Sequence, residues 1–198
     1  MLEPDFLLNT VFTPDGAVSE IVAGHWYEAW EKGCQDLLKM AGVKIKELAD
    51  VVIASAGGYP KDLNLYQSIK CHMNAAFAVK KGGIMIFTLD CEDIKEPAIF
   101  TDCFSRSNLE QFEKDIREAF TVPAFVAFKG RNILSDVTAY LVTRPENFDF
   151  VKRTGHIPCA TLEEAWSLAQ AKLAKQGKHD YTITIMGHGS ATLPILEQ

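Results

Sequence analysis

Apolar and polar positions follow two different rhythms along this chain. Residues 6–12 and 17–23 read as two short strands, and Thr13-Pro14-Asp15-Gly16 between them has the chemistry of a tight reversal. A helix is predicted over about 27–40, with Gly42 placed to stop it. A lone two-stranded hairpin is marginal in water, so this hairpin and helix need something to pack on.

From Ala49 the rhythm changes. Asp50-Val51-Val52-Ile53-Ala54-Ser55 is a continuous apolar run, the mark of a strand buried on both faces. Residues 62–80 read as a helix, Gly82-Gly83 as its break, and 84–89 as the next buried strand. Helices near 108–119 and 125–134 follow, then a strand over 139–142. Thr161-Leu162-Glu163-Glu164 is a capping box that opens a helix to about 176, and 181–186 is the last strand. Buried strands alternating with helices predict an α/β fold, a mostly parallel Rossmann-like sheet with helices on both faces. The hairpin and helix precede it, so the expected division is 1–42 and 43–198.

Composition narrows the function classes. A chain of 198 residues with 47% hydrophobic and 23% charged positions can bury one good core but not two large ones. The net charge of −6 disfavours nucleic acid as a partner, since a phosphate-backbone binder wants a basic face. No apolar run approaches the ~18 residues of a membrane span. The acidic Met1-Leu2-Glu3-Pro4-Asp5 lacks the basic start of a secretory signal. Five scattered cysteines without a C-x-x-C read as reduced thiols, hence a cytoplasmic protein.

In sheets of this kind ligands sit beyond the carboxyl ends of the strands. Two loops there have unusual composition. In the first, 55–62, Gly57 and Gly58 let the backbone approach a ligand, and the next helix offers N–H groups to an anion. The same residues also suit a plain turn. In the second, Gly187-His188-Gly189-Ser190, a nucleophilic Ser–His pair is conceivable, but no G-x-S-x-G surrounds it and no acid is assigned to orient the His. On the helix between them, Gln67 and Lys70 are i and i+3, share a face and lean toward the helix N-terminus. An ammonium beside an amide suits a carboxylate or phosphate, with a solvated polar stripe as the plain alternative. His25, His72, His156 and His179 show no metal-ligand spacing.

The stretch Ser55-Ala56-Gly57-Gly58-Tyr59-Pro60-Lys61-Asp62-Leu63-Asn64-Leu65-Tyr66-Gln67-Ser68-Ile69-Lys70 resembles the C-terminal domain of nickel-dependent lactate racemases. So do Gly82-Gly83 before a strand and the ending Ile185-Met186-Gly187-His188-Gly189-Ser190-Ala191-Thr192-Leu193-Pro194. The section 6–40 resembles the end of the preceding catalytic domain. The resemblance implies a two-domain enzyme with a nickel pincer nucleotide, which takes a hydride from C2 of a 2-hydroxy acid and returns it to either face. The cofactor's lysine tether, the nickel-ligand histidine and the two proton-exchanging histidines all belong to the N-terminal catalytic domain, whose bulk this chain lacks. Gln67 and Lys70 match the family's substrate-carboxylate residues, Tyr66 its cofactor-side tyrosine, and Gly57 and Gly58 lie on the cofactor side. The family's substrate-side tryptophan falls near Ala124 and Phe125 here, a departure that leaves the choice between lactate and another 2-hydroxy acid open.

The resulting expectation is a racemase or epimerase C-terminal domain that completes an interdomain cleft and is inactive by itself, with no cofactor held by this chain alone. Its partners would be the catalytic domain and a small 2-hydroxy acid, with self-association through 1–42 when the catalytic domain is missing. The first alternative is a non-enzymatic module that binds a small anion or a protein. The second is a hydrolase using His188 and Ser190.

Overall fold

The computed structural model describes residues 3–13, 15–105 and 108–197. Its centre is a five-stranded parallel sheet in the order β7-β6-β5-β4-β8. The strands are β4 (Ala49–Ser55), β5 (Val79–Thr88), β6 (Thr138–Val142), β7 (Ile157–Cys159) and β8 (Ile183–Met186). Because every pairing is parallel, all carboxyl ends lie along one edge, where a ligand crevice belongs.

One face of the sheet carries the larger core. Val52, Ala54, Met85, Phe87 and Leu141 pack there against α2 (Leu65–Ala75), α3 (Ala98–Thr101), α4 (Leu109–Glu118), α5 (Val122–Ser135) and α6 (Phe148–Arg153). The other face presents Val51, Ile84, Ile86 and Tyr140 to α7 (Leu162–Lys175). Helices therefore flank both faces, as the alternating pattern predicts. Cover on the second face is uneven, since α7 touches β5, β6 and β7 but leaves Ile185 of β8 75% exposed.

The N-terminal section forms the expected hairpin, β1 (Leu7–Phe12) and β2 (Val18–Gly24), followed by α1 (Trp26–Ala41). Pro14 of the turn, like Met1 and Leu2 of the acidic start, lies outside the described residues. Val11 and Val22 point toward Gly33 of α1 and are buried. The alternate residues Leu8, Phe12, Val18 and Ile21 stand on the opposite face and are more than half exposed.

Several elements depart from the sequence reading. The helix expected over 62–80 spans only Leu65–Ala75. It starts late because Asn64 caps it, accepting from the Gln67 amide at 2.9 Å, while the Asp62 and Leu63 carbonyls accept from the amides of Cys91 and Asp93. It ends early because the Ala78 carbonyl accepts from Ala49 and Val79 enters the sheet beside Ala49. Gly82-Gly83 does not break a helix but sits inside β5 as an irregularity, where the pairing slips between Ala49 and Val51. Gly82 takes φ +73, and a Cβ on Gly83 would meet Val79 and the Lys80 and Asp50 carbonyls.

Gly42 does end α1, but not by a left-handed cap. Its φ is −76 and it opens β3 (Gly42–Ile45), which pairs in parallel with β9 (Leu193–Leu196). Glycine is needed there because a Cβ would collide with the Leu38 carbonyl and the Ile195 side chain. The capping box of α7 forms, with Thr161 Oγ1 accepting from the Glu164 amide at 3.2 Å and Glu164 accepting from the Ala160 amide at 2.7 Å. No helix among the described residues is long and apolar enough to cross a membrane.

Candidate functional site

Three loops meet at the carboxyl edge of the sheet: 56–64 after β4, 89–97 after β5 and 187–192 after β8. The third is locked to the end of β4, where the first begins, by the Gly189 amide, which donates to the Ser55 carbonyl at 2.7 Å. The third is also fastened to α2, where the Asn74 side chain donates to the Gly189 carbonyl at 2.8 Å. Gly189 fits only as glycine, since a Cβ would lie 2.5 Å from the buried Cys71 Sγ and 3.0 Å from the Ser55 carbonyl.

Gly57 and Gly58 adopt φ +100 and +79, conformations that L side chains rarely take. A Cβ on Gly57 would press on His188 Nδ1 at 2.9 Å, whereas one on Gly58 would meet open space. The loop after β4 therefore exposes bare backbone at Gly58, with the His188 ring beside it. On α2, Lys70 Nζ donates to Gln67 Oε1 at 3.4 Å. Lys70 is exposed and Gln67 half-buried, so the pair faces out of the core at the first turns of the helix. The structure thus brings Gln67 and Lys70 together, and Asn74 continues their stripe at i+4 from Lys70.

Lys70, Asn74, Met73 and Ser190 line one side of a cavity of about 300 Å³, and Leu37 and Leu38 of α1 line the other. Lys70 is the one charged residue among its lining. Tyr66 is placed differently. Its half-buried ring meets Phe100 edge-on, with centroids 5.3 Å apart, and joins the margin of the larger core. Ala124 is buried at the start of α5, and Phe125 lines a separate cavity of about 460 Å³ with Phe120 and Phe128. Three phenylalanines rather than a tryptophan supply aromatic surface in that stretch.

The nucleophilic reading finds little support. Ser190 Oγ is buried and has no hydrogen-bond partner among the described residues, so none of them activates it as a base, and His188 lies against Gly57 instead. Three thiols are equally quiet, because burial pushes Cys71 and Cys91 up to about 12 and Cys159 up to about 11.

Two features of this edge were missed by sequence reasoning. Arg144 makes a two-pronged ion pair with Asp90, at 2.7 and 2.6 Å, across the ends of β5 and β6, and its guanidinium holds the Asp90 carboxyl below the usual carboxylate range. No local signal links residues so far apart in the chain. Asn74 was also missed, though its spacing from Gln67 and Lys70 on the helix was a usable signal.

Known proteins with this sequence and shape point one way. Lactate racemase of Thermoanaerobacterium thermosaccharolyticum is 30% identical over 178 residues, which is 87% of this chain but 42% of that protein. Lactate racemase of Lactiplantibacillus plantarum is 31% identical over 88 residues, 44% of this chain and 20% of that protein. The chain therefore spans less than half the length of these relatives. In shape, the apoprotein of the Thermoanaerobacterium enzyme matches 96% of this chain and 46% of its own, with a TM-score of 0.81 and 27% identity. A Thermotoga maritima protein matches 97% of this chain and 49% of its own at a TM-score of 0.60 and 13% identity, a likeness of fold alone. The family model for the lactate racemase C-terminal domain matches residues 44–193, a span that runs from β3 through the Gly57, Lys70 and Gly189 region into β9. A match of that length, over the residues that build the carboxyl edge, makes this chain a member of the lactate racemase C-terminal domain family.

Proposed function

We propose that this chain is the substrate-holding half of a 2-hydroxy acid racemase or epimerase, completed by an N-terminal catalytic domain. Gln67 and Lys70 hold the substrate carboxylate in the cleft between the halves, with Lys70 supplying the charge and Gln67 an amide donor. The observation that carries this reading is the Lys70–Gln67 pair itself. Its 3.4 Å contact stands on an outward face of α2, in a domain of the matching family.

The nickel pincer nucleotide implied by the family resemblance fits this chain only as a neighbour. Among the described residues no three of His, Cys, Asp and Glu gather into a metal-binding group, and the buried thiols hold their protons. The reading leaves nickel ligation to the catalytic half. Gly57 and Gly58 offer backbone that a flat cofactor can approach closely, and Tyr66 stands one position before Gln67 on the same helix. When bound, the cofactor supplies the hydride acceptor. This chain's part is to orient the acid.

Residues 1–42 belong to the same reading as the piece that joins the halves. The outer face of the hairpin, with Leu8 67% and Ile21 65% exposed, suits contact with the catalytic domain, or with a second copy when that domain is missing. This exposed face also favours the alternative, a protein-binding module without catalysis. Cys34, Cys71, Cys91 and Cys159 are thiols, in keeping with a cytoplasmic setting.

The test joins this chain to a catalytic half loaded with mature cofactor and follows racemisation of a series of 2-hydroxy acids. Both residues bond an ionised carboxylate, so each bond is charge-assisted and worth about 1.5–3 kcal/mol, but Lys70→Ala also removes the countercharge, so the lysine change is expected to cost more in kcat/KM. Wild-type kinetics for both variants would remove the pair from the site.

A further inference from the structure

A chain of hydrogen bonds runs through the larger core between α2 and the turn before β7. His72 Nδ1 lies 3.1 Å from the Ser68 carbonyl, and His72 Nε2 lies 2.9 Å from His156 Nε2. His156 Nδ1 is 2.8 Å from Thr154 Oγ1, which is 2.6 Å from the Val151 carbonyl. Both imidazoles are buried, and Phe87 stacks on His72 with ring centroids 3.8 Å apart.

The two ends of this chain are carbonyl oxygens, which only accept. His72 must therefore donate from Nδ1, and Thr154 must donate its hydroxyl to Val151. His156 Nδ1 must then donate to Thr154 Oγ1. These assignments use the single proton of each neutral ring and of the hydroxyl. They leave two bare Nε2 atoms facing each other at hydrogen-bond distance. Four contacts need four protons, and the neutral groups hold three. Any other arrangement of three protons moves the gap without filling it.

We propose that His72 and His156 form a single-proton binding site, a buried clamp that closes when one proton is taken up between the two Nε2 atoms. The added proton completes all four bonds at once. A second cannot follow, because no acceptor remains and two imidazolium rings would stand in contact. Burial opposes the charge and the missing bond favours it, so uptake falls in the acid range below the ordinary histidine value. Among the described residues no carboxylate acts on either ring. On α2 the neighbouring titratable group is Cys71, and Cys91 follows β5, both thiols that hold their protons. From β5 itself Phe87 faces the pair. On α6, Arg153 lies over the Phe150 ring and Lys152 pairs with Asp149, both cations being exposed.

The clamp grips the helix that carries Gln67 and Lys70, so its state reaches that face of α2. This last link rests on the proposed carboxylate role, but the proton site does not. The test is nitrogen-15 NMR of histidine side chains on this chain from pH 8 to 3. The expected result is one shared transition for His72 and His156, at lower pH than the ordinary histidine value of about 6.5. Both rings should keep Nδ1–H throughout and share the added proton at Nε2. Separate transitions, or uptake of two protons, would overturn the proposal. Thr154→Val supplies a second arm, because without the hydroxyl a neutral His156 can donate from Nε2 and the proton count balances. In that variant His156 should switch to the Nε2–H form and the shared transition should move to lower pH. An unchanged transition would also overturn it.

Discussion

Asn74 donates its side-chain N–H to the Gly189 carbonyl at 2.8 Å, so the turn after β8 is fastened to the helix that carries Lys70 one turn earlier. The bond joins residues 115 positions apart in the chain. It closes the carboxyl edge of the sheet, since Gly189 also bonds Ser55. Asn74→Ala leaves the buried Gly189 carbonyl without that donor and should cost about 1–2 kcal/mol. A urea midpoint lowered at constant slope, with faster amide exchange around Gly189, is the expected outcome. An unchanged midpoint would mean that the turn holds itself.

Gly189→Ala should destabilise by about 1–3 kcal/mol, because the new methyl meets the Cys71 sulfur in a packed core. Removing that sulfur with Cys71→Ala should make the pair of changes less costly than their sum, by at least about 0.5 kcal/mol. Strict additivity in the double-mutant cycle would show that the clash is relieved elsewhere.

Acid should weaken the fold through His72 and His156. Burial holds His72 at about 4 and His156 well below its ordinary value, whereas both would titrate near 6.5 in an unfolded chain. Their contribution is thus complete above pH 6.5 and is lost as pH falls toward 4. Across that window the unfolded chain gains two protons where the folded pair gains at most one. Unfolding free energy should then drop by at least about 1.4 kcal/mol per pH unit near the middle of the window. His156→Gln removes one titrating ring and should flatten the profile. A slope as steep as wild type in that variant would assign the acid sensitivity to other groups.

Asp50 anchors the opposite edge of the sheet. Its carboxylate accepts from Lys80 at 2.8 Å, from Lys178 at 2.6 Å and from the Thr182 amide at 3.2 Å, and these partners hold its pKa far below the usual carboxylate range. Asp50→Asn leaves two half-exposed lysines without their counter-charge and should cost on the order of 2 kcal/mol. Because this cluster lies away from the carboxyl edge of the sheet, the carboxylate binding proposed for Gln67 and Lys70 should be unaffected. Lost binding in a fully folded variant would contradict the separation of the two edges.

Local pattern by itself determined much of this protein. The apolar runs at 50–55 and 84–89 identify buried parallel strands because nothing but two-sided burial tolerates so little alternation. Thr161 and Glu164 mark the start of α7 because a capping box satisfies backbone donors within one turn. Gln67 and Lys70 were legible as a pair because helical spacing alone puts them on one face.

What the sequence could not determine depended on partners distant along the chain. β3 and β9 are four residues each and become strands only by pairing with one another, across most of the chain's length. Val79 leaves the helical pattern for the sheet because Ala49 is beside it, and Gly42 is required because Ile195 arrives next to it. The Arg144–Asp90 ion pair and the His72–His156 contact arise in the same way, from loops that the parallel sheet delivers to one edge or one core. Hydrogen bonds within a turn are written in neighbouring residues. Hydrogen bonds between turns exist only after the chain has closed on itself, so the tertiary structure alone decided them.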